Sequence, residues 1–303
     1  MADIQVKKLQ TLTGHRDSVY GLTAEPGSQH FFSAAGDGMI VKWDFPNTEE
    51  GTLIARLPNS IYAIHALPGT DFIVAGHNYE GIHVLDWRNK KEVASLKLSD
   101  AAIFDIKSFG DDCMIASGDG SLTVIDLRSM TVKKKVVASK RNARTIAINV
   151  DRREVAVGYS DNFIRLFDLD DFSLKQEWEA HTNSVFSVAY TPDSRFLLSG
   201  SRDARLKVWS PENAYSLHEE IKAHLYAINH IEFSPDKEHF VTCSLDKSVK
   251  VWHTASLTLL KVIDKARHAG HGTSVNRLLW SSFDGKLISA SDDRTISIWD
   301  VIF

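Results

Sequence analysis

Along most of this chain, apolar and polar residues alternate in short runs separated by breaks rich in Pro, Asp, Ser and Gly. The stretch from His181 to Trp209 shows the pattern. Val185-Phe186-Ser187-Val188-Ala189-Tyr190 alternates, Thr191-Pro192-Asp193-Ser194 interrupts, Arg195 to Ser201 resumes, Arg202-Asp203-Ala204 interrupts again, and Arg205-Leu206-Lys207-Val208-Trp209 completes it. A period of two broken by turn chemistry predicts short antiparallel strands. Ile4 to Leu12, Ile103 to Ile106, Leu122 to Leu127, Thr145 to Val150 and Phe163 to Leu169 read the same way.

Four polar-capable residues are set into this pattern at fixed offsets. His15, Ser33, Asp37 and Trp43 form one set. His181, Ser199, Asp203 and Trp209 form another, followed by His224, Thr242, Asp246 and Trp252, and by His271, Ser289, Asp293 and Trp299. In each set the Asp lies 22 residues after the His, the hydroxyl 4 before the Asp, and the Trp 6 after it. The apolar ends of successive third strands are Trp43, Leu85, Ile125, Phe167, Trp209, Trp252 and Trp299, at intervals of 42, 40, 42, 42, 43 and 47. Seven units of roughly 40–45 residues, four strands each, have the period of propeller blades. Asp119 and Asp161 supply the turn Asp of units three and four. There, Ile115 with Ile125 and Val157 with Phe167 replace the hydroxyl and the Trp. In unit two the turn position is Tyr79, within Gly76-His77-Asn78-Tyr79-Glu80-Gly81.

The Gly14-His15, Trp43-Asp44 and Trp299-Asp300 pairs, the softened Phe167-Asp168 pair and the four sets together resemble the WD-repeat (Trp-Asp) β-propellers. The resemblance covers nearly the whole chain. It implies an all-β fold: a single seven-bladed propeller over residues 1–303, built of four-stranded antiparallel blades. It also implies that the N-terminal strand Ile4 to Leu12 pairs with the last blade and closes the ring, and that each set forms a hydrogen-bonded chain inside its blade. Closure removes exposed sheet edges.

Physical chemistry supports the chain independently. A buried indole N–H needs an acceptor. A hydroxyl can accept from it and donate onward to a His that a carboxylate holds in one tautomer, and such a network stabilises only when every member is paired. A catalytic Ser-His-Asp triad needs one copy, an exposed nucleophile and an oxyanion site. Four identical copies point to scaffold.

Charge narrows the function. Lys plus Arg number 35 and Asp plus Glu 39, a net charge of −4 over 303 residues. That balance gives no global attraction to nucleic acid or anionic lipid. The start, from Met1, lacks the apolar core of a secretory signal, and no apolar run reaches membrane-spanning length. Cys113 and Cys243 lie within strand patterns of different repeats and read as reduced core thiols of a cytoplasmic protein. No cofactor or metal is expected. His268 and His271 lie close in sequence in the longer connection from Asp264 to Gly270, but His271 belongs to a tetrad and no further ligands accompany the pair.

In the resembled family, partners dock around the channel mouth, on one face. Tyr20, Tyr62, Phe104, Arg144, Phe186, Asn229 and Asn276 are the equivalent first-strand positions there. Gly36, Asn78, Gly118, Ser160, Arg202, Leu245 and Asp292 precede the turn Asp position. Aromatic residues and Arg are enriched at interface hot spots. The expectation is a non-catalytic interaction scaffold, monomeric by itself and part of a multiprotein complex. It would bind a protein or peptide on this top face, through Tyr20, Tyr62, Phe104, Arg144, Phe186, Arg202, Asn229 and Asn276. One alternative is an adaptor reading RNA or an acidic partner through Lys133-Lys134-Lys135, Lys140, Arg141, Arg144, Arg152 and Arg153 on blades three and four. A second is an enzyme with its site in the central channel. Blades two to four, without complete tetrads, are expected to be the softest part of the fold.

Overall fold

The computed structural model describes residues 4–45 and 50–303; Met1 to Asp3, part of the start considered above, lie outside the described residues. The described residues form seven four-stranded antiparallel sheets. In six of them, four strands consecutive in sequence lie side by side. Blade one runs Val19–Thr23, His30–Ala35, Met39–Asp44 and Thr52–Arg56. Blade five runs Val185–Tyr190, Leu197–Ser201, Leu206–Ser210 and Ser216–Ile221. The fold is the seven-bladed β-propeller that the repeat period predicts. The second strand of each blade is the most buried and the fourth is the exposed edge: Leu197–Ser201 is buried throughout, whereas Ser216–Ile221 is almost wholly exposed.

The seventh sheet departs from chain order. Val275–Trp280, Leu287–Ser291 and Ile296–Ile302 are joined at the edge by the N-terminal strand Gln5–Leu12. The register runs from Gln5 opposite Ile302 to Leu12 opposite Ile296, with one irregularity between Lys8 and Gln10. Leu12 is buried with Val19, Phe31, Trp43 and Ile296, and Ile4 is buried with Val241, Trp299 and Val301. The N-terminal strand thus completes the last blade, as expected.

The chain resolves into two compact units. One comprises the described residues up to 73 with 85–91 and 229–303, and the other residues 74–84 and 92–228. Within each unit, neighbouring blades are fitted by small side chains. The residue three before the turn position is Ala34, Gly76, Ala116, Gly158, Gly200, Cys243 or Ala290. A Cβ added to Gly200 would stand 2.6 Å from Cγ2 of Ile228 on the next blade, and one added to Gly158 would stand 2.7 Å from Cγ1 of Val185. First strands are also tied to the next first strand by side chains that accept backbone N–H groups. Thr23 Oγ1 accepts from Ala66 (3.0 Å), Asp105 Oδ2 from Ile146 (2.8 Å) and Thr145 Oγ1 from Val188 (3.3 Å). His230 Nδ1 accepts from Leu278 (3.3 Å).

Two sequence readings are refined here. Cys113 and Cys243 are unbridged and buried; burial pushes the Cys113 thiol up to about 12 and raises that of Cys243 as well. The connection before His271 contains a short helix, Lys265–His268, whose cap Asp264 accepts from the Arg267 N–H at 2.9 Å.

Candidate functional site

The repeated sets are hydrogen-bonded chains. In blade one, Trp43 Nε1 donates to Ser33 Oγ at 2.9 Å, Ser33 Oγ lies 2.8 Å from His15 Nε2, and His15 Nδ1 lies 3.3 Å from Asp37 Oδ2. The corresponding distances are 2.8, 2.8 and 2.9 Å in blade five and 2.8, 2.8 and 3.0 Å in blade seven. In blade six, Trp252 Nε1 donates to Thr242 Oγ1 at 3.0 Å. A neutral imidazole that donates from Nδ1 and accepts the hydroxyl proton at Nε2 satisfies every group in the chain. Burial pulls the His15 and His181 imidazoles below the usual histidine value, although Asp37 and Asp203 oppose the shift. Partial burial works against charge on Asp203, yet the His181 hydrogen bond and charge, with the Arg205 and Thr182 amides, hold it well below the ordinary carboxylate range. Ser33, Ser199 and Ser289 have no solvent exposure, and an indole N–H occupies each oxygen. A nucleophile needs the opposite, an accessible oxygen, and none of these three serines offers one.

Five of the eight expected partner-binding residues share a backbone irregularity. The first and second strands slip register between Val19 and Gly21, Ile103 and Asp105, Ala143 and Thr145, Val185 and Ser187, and Val275 and Arg277. The extra residue in each case is Tyr20, Phe104, Arg144, Phe186 or Asn276. A bulge unpairs one residue and re-aims its side chain. All five are half-buried, as are Tyr62 and Asn229, whereas Arg202 is exposed.

The structure groups these residues differently from a uniform rim. In the first unit, the Tyr20 and Tyr62 rings meet edge to face at 4.8 Å. Asn229 donates both amide hydrogens, to Ser274 Oγ (3.0 Å) and the Val275 carbonyl (2.8 Å). Asn276 donates to the Val19 carbonyl (3.1 Å) and Asp292 Oδ1 (2.7 Å). These two asparagines join neighbouring blades. In the second unit, the Arg144 guanidinium lies over two aromatic rings, 4.1 Å from the Phe104 centroid and 4.7 Å from that of Phe186. Stacking on aromatic faces pre-organises a guanidinium, whose N–H edge suits a carboxylate or carbonyl.

The basic stretch of blades three and four is interleaved with carboxylates. Lys133 pairs with Asp112 at 2.6 Å, Lys135 with Asp119 at 3.0 Å and Arg152 with Glu154 at 3.3 Å, and Arg153 pairs with Asp170.

Sequence reasoning passed over two features. Leu225 and Tyr226 are 82% and 60% exposed. They follow His224, where other repeats carry Arg16-Asp17, Thr182-Asn183 or Gly272-Thr273, and that contrast was available in the sequence. The turn of blade two gathers His77, Glu80 and His83, whose ligand-type atoms all lie within 4.8 Å of one another. Burial lowers the His77 imidazole below its usual value, against the opposing charge of Glu80. The spacing of three residues between successive members was the available signal.

The family model described as "WD domain, G-beta repeat" matches residues 6–44, 172–210, 215–253 and 264–300, just over half of the chain. The chain belongs to the WD-repeat family. The unmatched residues 45–171 take in blades two to four, where the tetrads are incomplete. Among curated proteins, the chain is similar to human Striatin-4, 28% identical over 202 residues, which is 67% of this chain and 23% of that protein. It is similar to the 66 kDa stress protein of Physarum polycephalum, 25% identical over 66% of this chain and 33% of that protein. A Striatin homolog of Dictyostelium discoideum is 22% identical over 64% of this chain and 26% of its own length. The chain thus spans no more than a third of these relatives' length. Among the described residues, no helix is long and apolar enough to cross a membrane.

Proposed function

We propose that this WD-repeat chain is a non-catalytic interaction scaffold within a multiprotein assembly, and that it binds a protein or peptide partner presenting a carboxylate. The observation that carries this reading is the Arg144 guanidinium held between Phe104 and Phe186 on three consecutive bulges. A half-buried, stacked arginine is a typical anchor of an interface hot spot. Arg202, exposed and in the same unit, is a further candidate contact; Tyr20 and Tyr62 form a separate aromatic pair in the other unit. Asn229 and Asn276 serve the fold first, since their amides are spent on adjacent blades. Buried unbridged thiols fit a reducing, intracellular setting. The ion-paired lysines and arginines of blades three and four favour a protein partner over RNA.

The test is to capture partners with the wild-type chain, purify one, and measure its affinity for wild type, Phe104→Ala, Arg144→Ala and Tyr20→Ala. Leu174→Ala, on the exposed fourth strand of blade four, serves as control. We expect Arg144→Ala to cost about 2 kcal/mol or more, as hot-spot truncations do, with Leu174→Ala neutral. Undiminished binding by Phe104→Ala and Arg144→Ala would overturn the assignment.

A further inference from the structure

We propose that the turn of blade two is a divalent metal site of the zinc type, with His77, Glu80 and His83 as its ligands. His77 ends the second strand (Phe72–His77), Glu80 closes the turn and His83 lies on the third strand (Gly81–Asp86). Their ligand-type atoms lie within 4.8 Å of one another. His77 Nδ1 is 3.4 Å from Glu80 Oε2, and the two imidazole rings meet edge to face at 5.3 Å. Two imidazoles and a carboxylate are a zinc-type donor set. Bonds to such an ion of about 2.0–2.2 Å place its ligand atoms roughly 3.3–3.5 Å apart. Rotation of the exposed Glu80 side chain brings its carboxylate toward both imidazoles, and a small shift of His83 closes the set.

Two further features set this turn apart. His83 Nδ1 lies 3.1 Å from Glu92 Oε2 on the fourth strand (Lys91–Leu96). A carboxylate on one imidazole nitrogen fixes the tautomer and makes the other nitrogen a better ligand. Further, the turn is built differently from its equivalents. Its left-handed residue is Tyr79, at φ 76°, in the middle of the turn, whereas blades one and three place Gly38 and Gly120 at the end. The equivalents of His77, Glu80 and His83 are Ala35, Gly38 and Val41 in blade one and Ser201, Ala204 and Lys207 in blade five. Three protein ligands leave a position for water or for a donor from a partner.

The experiment is zinc titration of the full chain, stripped with a chelator, in competition with a chromogenic zinc indicator. A cobalt(II) titration is followed in parallel by its d–d absorption. Wild type is expected to take up one ion per chain with a tetrahedral cobalt spectrum. Glu80→Gln and His83→Gln are each expected to weaken binding by roughly tenfold or more, and Glu92→Gln by less. His239→Gln, at a histidine elsewhere, should leave binding unchanged. Zinc should also raise the melting temperature of wild type but not of Glu80→Gln, because a ligand that binds the folded state stabilises it by mass action. His77 is buried and its replacement can unfold the blade, so the exposed Glu80 carries the decision. Equal zinc affinity in wild type and Glu80→Gln/His83→Gln, or no stoichiometric uptake by wild type, overturns the proposal.

Discussion

A hydroxyl that receives an indole N–H and donates to an imidazole has no apolar substitute while its partners remain. Ser199→Ala leaves the Trp209 N–H and His181 Nε2 buried without it. Such orphaned groups cost about 1–3 kcal/mol each, so chemical denaturation should show a loss of roughly 2–6 kcal/mol. Blades three and four take the other route and change both partners together. Ile115 with Ile125, and Val157 with Phe167, are fully buried, and paired apolar replacement is close to neutral. The tetrads also set a pH dependence. The buried His15 and His181 bind protons less readily folded than unfolded, so stability is complete above the usual histidine value of 6.5 and declines as pH falls below it. The depressed Asp203 and Asp293 contribute stability above 3.8 that is lost as pH falls further, toward their folded values. Both shifts act in one direction. The melting temperature should therefore drop in two stages on acidification, and a flat profile between about pH 7 and about pH 5 would contradict the histidine assignment. At this scale the tetrads were legible because hydrogen-bonding needs fix both residue type and spacing. The Arg144 sandwich was not, because it depends on a bulge, and a bulge adds a residue without altering composition.

At the scale of the strand, the fit between blades rests on side chains that are not there. Gly200→Val would place a branched side chain where even a Cβ is 2.6 Å from Ile228. Overpacking of this kind costs about 1–3 kcal/mol, visible as a lower denaturation midpoint at unchanged slope. The N-terminal strand is the second test. Removal of residues 1–12 strips the last blade of its edge strand and takes Leu12 out of the core it shares with Val19 and Ile296. The melting temperature should fall and the unfolding transition broaden; an unchanged melting temperature would show that the strand is dispensable. Strand existence and order could be read from period and spacing, and the completion of the last sheet from the family resemblance. The short helix Lys265–His268 could not, since one turn of helix carries no periodicity; its cap Asp264 was its only sequence trace.

Across the whole molecule, the weak point narrows to blade two. Blades three and four replace their tetrads with matched apolar pairs and with ion pairs such as Arg165 with Asp161 at 2.9 Å. Blade two has the matched apolar pair as well, Ala75 with Leu85, but it alone lacks the turn Asp. Amide exchange should be fastest there, and zinc bound at His77, Glu80 and His83 should slow it; uniform protection across blades, unchanged by zinc, would count against both statements. One feature governs how the chain is made. The strand Gln5–Leu12 leaves the ribosome almost the whole length of the chain ahead of Ile296–Ile302, the strand it must pair with. During synthesis it waits as an open, hydrogen-bonding ribbon with three of its eight side chains apolar. The last sheet is finished only once Ile296–Ile302 has been made, by a contact between strands nearly 300 residues apart, and contacts of that kind are the slow ones. Nascent chains stalled before residue 296 should accordingly be the form most dependent on chaperones.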